Sequence, residues 1–280
     1  AQLRIYQKNV PEARTLLEQA LAHNPNLSSA LNLLAQTYVA EKQPAKAIAR
    51  VNEQIAKSPQ SADMYVLLSN LQAGSGDLKG GLASAEKAMQ LNPGNPGAVV
   101  SYTRTLVASG DVPKALAKWQ QWTATHPNDS TAFSILGTLE EATGDRDKAM
   151  ASYKKALQSQ PEQPVASNNL AYLMLETGQN TDVALSLAQT ARRVMPNSPS
   201  TADTLAWAYF HKGNYTSARS LLEDALKADP NNPTLHYHLG MTLTKLSANA
   251  DAVTHLKKAV SLAPDSQTAK DAQKALGQLT

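Results

Sequence analysis

The chain of 280 residues has no cysteine. That excludes disulfides, thiolate metal sites and a cysteine nucleophile, and it is compatible with any redox compartment. No apolar run approaches the roughly 18 residues of a membrane-crossing helix, so no transmembrane span is expected. The first residues also lack a signal-peptide pattern. Charge of one sign is scarce: Lys+Arg 26 against Asp+Glu 23 gives +3, with no run of like charge, so nucleic acid is not an expected partner. Only 2 phenylalanines, 9 tyrosines and 3 tryptophans are present, which leaves most of the packing to alanine and leucine. The Gly-x-Gly of Gly74 and Gly76 follows no strand and is read as a turn, not a phosphate loop. No nucleophile–base pairing and no acid–base pair stands out, so neither enzymatic activity nor a cofactor is expected.

What the chain does have is a ruler. Pro25, Pro59, Pro93, Pro127 and Pro161 stand 34 residues apart, Pro196 follows after 35, and Pro230 and Pro264 follow after 34 each. A fixed period of this length is the mark of a stacked array. Proline suits the place because it cannot continue a helix. Small residues keep the same beat at Ala13, Ala47, Gly81, Ala115, Ala149, Ala184, Ala218 and Ala252. A second column runs Ala20, Gln54, Ala88, Trp122, Ala156, Ala191, Ala225 and Ala259. Small side chains let helix axes approach. Large residues recur at Leu34, Leu68, Tyr102, Leu136, Leu170, Leu205 and Leu239. A helix pair this short cannot bury its own apolar face and needs a neighbour.

The beat divides the chain into a broken unit at 1–27, full units at 28–61, 62–95, 96–129, 130–163, 164–198, 199–232 and 233–266, and a last segment at 267–280. Counted back from Pro25, Ala1 falls inside a first helix, so further repeats are expected upstream. The unit 62–95 reads as the softest, because Gly80 and Gly81 open its second helix and each helical glycine costs about 1 kcal/mol against alanine. Trp119 falls in a core column, and Trp122 replaces an alanine, so that its indole must push the neighbour away or cover the junction. The one-residue expansion lies between Glu176 and Asp182. In the last segment Ala269, Ala272, Leu276 and Leu279 form a stripe, with Lys270, Asp271, Gln273, Lys274 and Gln278 away from it: a capping helix with a polar outer face.

These columns, the helix–turn–helix length and the terminal proline resemble the tetratricopeptide repeat over nearly the whole chain. The resemblance implies an all-α fold, a right-handed α-solenoid with first helices lining a concave groove. It places Asn32, Gln36, Asn70, Arg104, Ser134, Thr138, Asn168, Tyr172, Asp203, Trp207, Tyr237 and Met241 in that groove. Some relatives hold a peptide carboxylate with lysine, asparagine and arginine. The corresponding Asn32, Gln36, Asn70 and Arg104 lack the lysine, which disfavours chaperone tails. Tyr172, Trp207, Phe210, His211 and Tyr237 are expected to form an aromatic strip, with Asn168 and Asp203 beside it as hydrogen-bonding groups. The contacts are expected to be mainly apolar, with few charges. Replacing Trp207 and Tyr172 by alanine is expected to abolish binding with helicity intact. His236 and His238 are two apart and point to different faces. His211 and His238 supply too few ligands for a metal.

The phrases Asn168-Asn-Leu-Ala-Tyr-Leu, Asp203-Thr-Leu-Ala-Trp and Thr234-Leu-His-Tyr-His-Leu-Gly resemble the large exported bacterial tetratricopeptide proteins of exopolysaccharide and exosortase systems. That resemblance implies a non-catalytic scaffold of the cell envelope, facing the periplasm or associated with the outer membrane. Its partner would be a protein or peptide segment held in the groove. The alternative is direct binding of polysaccharide by the groove aromatics.

Overall fold

The computed structural model describes residues 1–7 and 9–279. Lys8 and Thr280, which belong to the first and last expected segments, lie outside the described residues. Every regular element among the described residues is an α-helix. In order these are α1 (Gln2–Tyr6), α2 (Val10–His23), α3 (Ser28–Ala40), α4 (Pro44–Lys57), α5 (Ala62–Gly74), α6 (Leu78–Leu91), α7 (Pro96–Ala108), α8 (Val112–Thr125), α9 (Ser130–Ala142), α10 (Arg146–Ser159), α11 (Pro164–Glu176), α12 (Thr181–Val194), α13 (Pro199–His211), α14 (Tyr215–Ala228), α15 (Pro233–Lys245), α16 (Asn249–Leu262) and α17 (Gln267–Leu276). The fold is all-α, an α-solenoid built from helix hairpins, with α17 as its capping helix. The hairpins group into two compact units, residues 1–122 and 123–280.

Local chemistry accounts for the hairpins. Each first helix from α3 onward ends two residues before a position in the left-handed region: Lys42, Gly76, Gly110, Gly144, Gly178, Gly213 and Ser247. The next amide then reaches back to a carbonyl in the last turn, as in Asp77 N to Gln72 O at 2.9 Å, Asp145 N to Glu140 O at 2.9 Å and Asn214 N to Tyr209 O at 2.9 Å. This closes the helix end and reverses the chain. Asp77, Asp145 and Asn214 then cap the second helix by accepting from Gly80, Lys148 and Ser217 amides. The expansion is Gln179, inserted between the left-handed Gly178 and the cap Asn180. Each proline of the ruler stands two residues past the end of a second helix, where it cannot extend it.

In the N-terminal unit Leu17, Leu31, Leu34, Ala47, Val51, Met64 and Leu68 form the core. Gln54, in a column that is otherwise mostly alanine, is buried because its polar atoms are used. Nε2 donates to Pro25 O at 2.8 Å, and Oε1 accepts from Arg50, which clasps Glu18 with two bonds of 2.8 Å. Trp119 is buried and donates to Thr103 Oγ1 at 2.9 Å, and Trp122, also buried, meets it edge to face.

In the C-terminal unit Tyr153, Leu170, Leu205 and Trp207 lie in one cluster, Leu222, Leu235, Leu239 and Leu243 in the next, and Leu256 and Ala259 pack on Ala272 and Ala275 of α17. Successive first helices, α9, α11, α13 and α15, are thereby set side by side.

Candidate functional site

On helices α9, α11, α13 and α15, residues three or four apart share a face. Thr138 and Glu141, Asn168 and Tyr172, Ser200 and Asp203 bring that face to one cavity of about 590 Å³, closed at one side by Asn232, Thr234 and Leu235. A smaller cavity of about 300 Å³ shares Glu141, Tyr172 and Thr234 with it. This second space adds Arg146, Glu176, Tyr237 and His238, and from the capping helix Gln267, Thr268 and Asp271.

Asn168 is 6% exposed. Its Nδ2 donates to Asn169 Oδ1 at 3.1 Å and Ser200 Oγ at 3.2 Å, while Oδ1 has no partner among the described residues. Asp203, 8% exposed, faces His238 Nδ1 at 2.7 Å. Tyr172 is half-buried, and burial together with the charges of Glu176, Asp203 and Glu141 pushes its phenol well above the ordinary value. Burial, Asp271 and Glu176 push Tyr237 up to about 12. For both phenols burial is the larger cause, and the nearby carboxylates add to it.

The carboxylates are held by uncharged donors. Glu141 accepts from Tyr153 Oη at 3.1 Å, Glu176 from Trp207 Nε1 at 2.9 Å, and Asp271 from Gln267 Nε2 at 3.1 Å. Among the described residues none of Glu141, Glu176, Asp203 and Asp271 is ion-paired with lysine or arginine. Arg146, on the rim of the smaller cavity, is exposed.

Asn168, Tyr172 and Asp203 thus meet at the larger cavity, and Tyr237 joins Tyr172 at the smaller one. Trp207, Phe210, His211 and Tyr237 do meet in ring contact, but Trp207 at their centre is not open to a partner. Trp207 is 5% exposed. Its ring lies between His238, 4.0 Å away at 15°, and Phe210, 4.5 Å away at 13°, so both faces are covered. His211 is exposed but meets the Trp207 edge, Phe210 turns toward Tyr215 of α14, and Met241 packs among core residues with Tyr237. The expectation of a groove with few charges is also corrected, because four carboxylates line the two cavities. His236 points away from His238, to His255 Nδ1 at 2.9 Å and Pro230 O at 3.1 Å. Among the described residues no group of three or more candidate ligands is placed to hold a metal. In the N-terminal unit, Asn70 accepts from Ser101 and Arg104, while Asn32 and Gln36 are exposed.

Glu141, Asn169, Glu176, Ser200, Asn232 and Asp271 were not among the expected groove residues. A signal for two of them exists: Glu141 and Glu176 lie one turn beyond Thr138 and Tyr172 on the same helices. Asp271 carries no such signal. It sits on the flank of α17 that the sequence assigns to solvent, and the packing of that helix turns it toward Tyr172 and Tyr237.

Comparison with known proteins agrees with this architecture. The tetratricopeptide repeat family matches residues 4–71 and 72–139, and again 131–163. Residues 179–259 match the family described as anaphase-promoting complex, cyclosome, subunit 3. No curated protein matches the chain in sequence. Among solved structures, the APC/C hetero-tetramer Cut9-Hcn1 superposes with a TM-score of 0.72 at 15% identity, over 95% of this chain and 52% of that one. A tetratricopeptide repeat protein from Parabacteroides merdae gives 0.61 at 18% identity, over 89% of this chain and 98% of that one. The present chain spans about half the length of the Cut9-Hcn1 chain, and at such identities the likeness is one of fold. With the repeat family matched from residue 4 to 163 and the same helix hairpin recurring to the capping helix, the chain belongs to the tetratricopeptide repeat proteins.

Proposed function

We propose that the protein is a non-catalytic interaction scaffold that holds a segment of a partner protein in the groove of its C-terminal unit. Tetratricopeptide repeats generally serve as protein-binding scaffolds rather than catalysts. The observation that carries the groove assignment is the cavity of about 590 Å³ shared by four successive first helices. Polar groups converge on it, as expected of a pre-formed binding site. The phrases from Asn168 to Phe210 support a place in a bacterial envelope assembly for exopolysaccharide synthesis or export, with the groove facing the periplasm. Among the described residues no helix is long and apolar enough to cross a membrane.

Site-specific photo-crosslinking in an envelope extract tests the reading. A photoreactive group at Ser200, on the groove, is compared with one at Arg219, on the exposed side of α14. A protein crosslinked from position 200 and lost on Tyr172→Ala supports the groove. Crosslinking only from position 219 rejects it.

A second reading, direct polysaccharide binding, draws on the amide and hydroxyl lining of Asn168, Asn169, Ser200 and Asn232, which suits sugar hydroxyls. It loses the stacking surface of Trp207, whose faces are covered. Oligosaccharide titration by calorimetry distinguishes it, since saturable heat that is lost on Asn168→Ala would favour a sugar in the larger cavity.

A further inference from the structure

We infer that the partner segment is basic: an extended peptide that places lysine or arginine side chains between the two cavities of the C-terminal unit and hydrogen-bonds Asn168 from its backbone. The inference rests on the groove reading above and adds the chemistry of the occupant.

Two independent observations point the same way. The first is charge. Glu141, Glu176 and Asp271 line the smaller cavity together with the rings of Tyr172 and Tyr237, and Glu141 also borders the larger one beside Asp203. Their protein partners are neutral donors, namely a phenol, an indole and an amide, while Asp203 faces His238. Such donors orient a carboxylate and leave its charge in place. Among the described residues the lysine or arginine on the lining is Arg146, exposed at the rim and in none of the ion pairs, so the local balance stays negative. A cationic head entering here meets carboxylates and aromatic rings together, which favours arginine most and lysine next.

The second observation is Asn168. Asn168 lines the larger cavity; its Oδ1 is buried and without a partner among the described residues, while its Nδ2 is committed to Asn169 and Ser200. A buried acceptor without a donor is unfavourable, so an N–H supplied by a ligand is recognised there. An extended peptide offers a backbone N–H and, a short distance along, a basic side chain. An acidic or purely apolar segment would supply the first and not the second.

The test is selection of random dodecapeptides displayed on phage against the full chain, followed by affinity measurement of the enriched peptides by fluorescence anisotropy. Three variants are compared: Tyr172→Ala for the groove, Glu141→Gln with Glu176→Gln and Asp271→Asn for the charge, and Asn168→Ala for the backbone contact. The neutral amides keep acceptors for Tyr153, Trp207 and Gln267, and circular dichroism confirms folding. The expected result is enrichment of Lys/Arg-bearing peptides, an affinity loss of about tenfold or more in the charge variant, and weakening between about 50 and 300 mM salt. Peptides that need Tyr172 but carry no basic residue, and bind the charge variant equally well, would overturn the basic-partner inference and leave the groove reading standing. Peptides indifferent to Tyr172, or no enrichment at all, would overturn both.

Discussion

The indole N–H of Trp207 donates to Glu176 Oε1 at 2.9 Å, joining α13 to α11 across 31 residues. The bond lets an aromatic core residue and a groove carboxylate hold each other in place. Trp207 is therefore a residue of the fold before it is a contact for any partner. Trp207→Ala is expected to destabilise the C-terminal unit by about 3–5 kcal/mol, the usual range for emptying a large aromatic site. It will not leave the array intact, as the sequence alone led one to expect. Trp207→Phe keeps stacking and loses the donor, so its loss should be smaller. Urea unfolding followed by circular dichroism measures both, and an unaltered midpoint for the alanine variant would contradict the buried stack.

Gly137 lies against the ring of Tyr153, and a Cβ built there would stand 2.6 Å from Cε1 and 2.8 Å from Cδ1. Tyr153 is fully buried, with its hydroxyl engaged by Glu141 and Asn169, so it cannot swing aside. Gly137→Ala should cost about 1–3 kcal/mol by overpacking. Part of that loss should return when Tyr153→Leu is combined with it. A double-mutant cycle checks this, since additive losses would mean the two residues do not share the space.

Lys42 and Ser247 occupy the left-handed turn position at φ 59° and 60°, where the other units have glycine. A side chain is disfavoured there by roughly 1–2 kcal/mol. Glycine recovers part of this, the remainder being offset by its greater freedom when unfolded. Lys42→Gly and Ser247→Gly should each raise stability by roughly 0.5–1 kcal/mol. Thermal melts of the single and double variants test the gain, and a lower melting temperature in either would refute the turn argument.

Glu140, 4% exposed, occupies a column held by Leu106 and Met174 in the neighbouring units. Burial raises its carboxyl above the ordinary 4.5, and the Ser152 hydroxyl at 2.6 Å only partly opposes this. A raised carboxylate pKa stabilises the protonated folded state. The penalty is absent below 4.5, grows as pH rises toward the folded value, and is full above it. Glu140→Gln should therefore be more stable than the parent at pH 8, by on the order of 1 kcal/mol, with the gap closing toward pH 4. Denaturation at both pH values decides, and a gap that widens in acid would reverse the sign of the argument.

The glycine pair at the start of α6 predicts the fastest amide exchange among the internal repeats for residues 62–95. Hydrogen exchange read by mass spectrometry tests it, and equal protection in the flanking repeats would refute it.

The amino-acid sequence by itself determined the helix hairpin, its length and its recurrence, because each device involved is local. Proline two residues past a helix, a left-handed turn residue, an Asp or Asn cap and alanine at helical spacing all act within a few positions of the chain. Gly178 and Gln179 could thus be placed in the longer turn, and Ala149, Leu170 and Ala184 in the core, from spacing alone. The make-up of the groove was not legible in this way. Trp207 and Tyr172 occupy the same column of successive repeats, yet one is enclosed between Phe210 and His238 and the other borders open space. Likewise Asp271 faces a cavity from a flank that its own helix would give to solvent. The volumes of many side chains between helices set how far each helix turns and leans on the next. That sum is not carried by any short stretch of sequence, so only the tertiary structure decided which polar groups share a space and which aromatic rings are closed off.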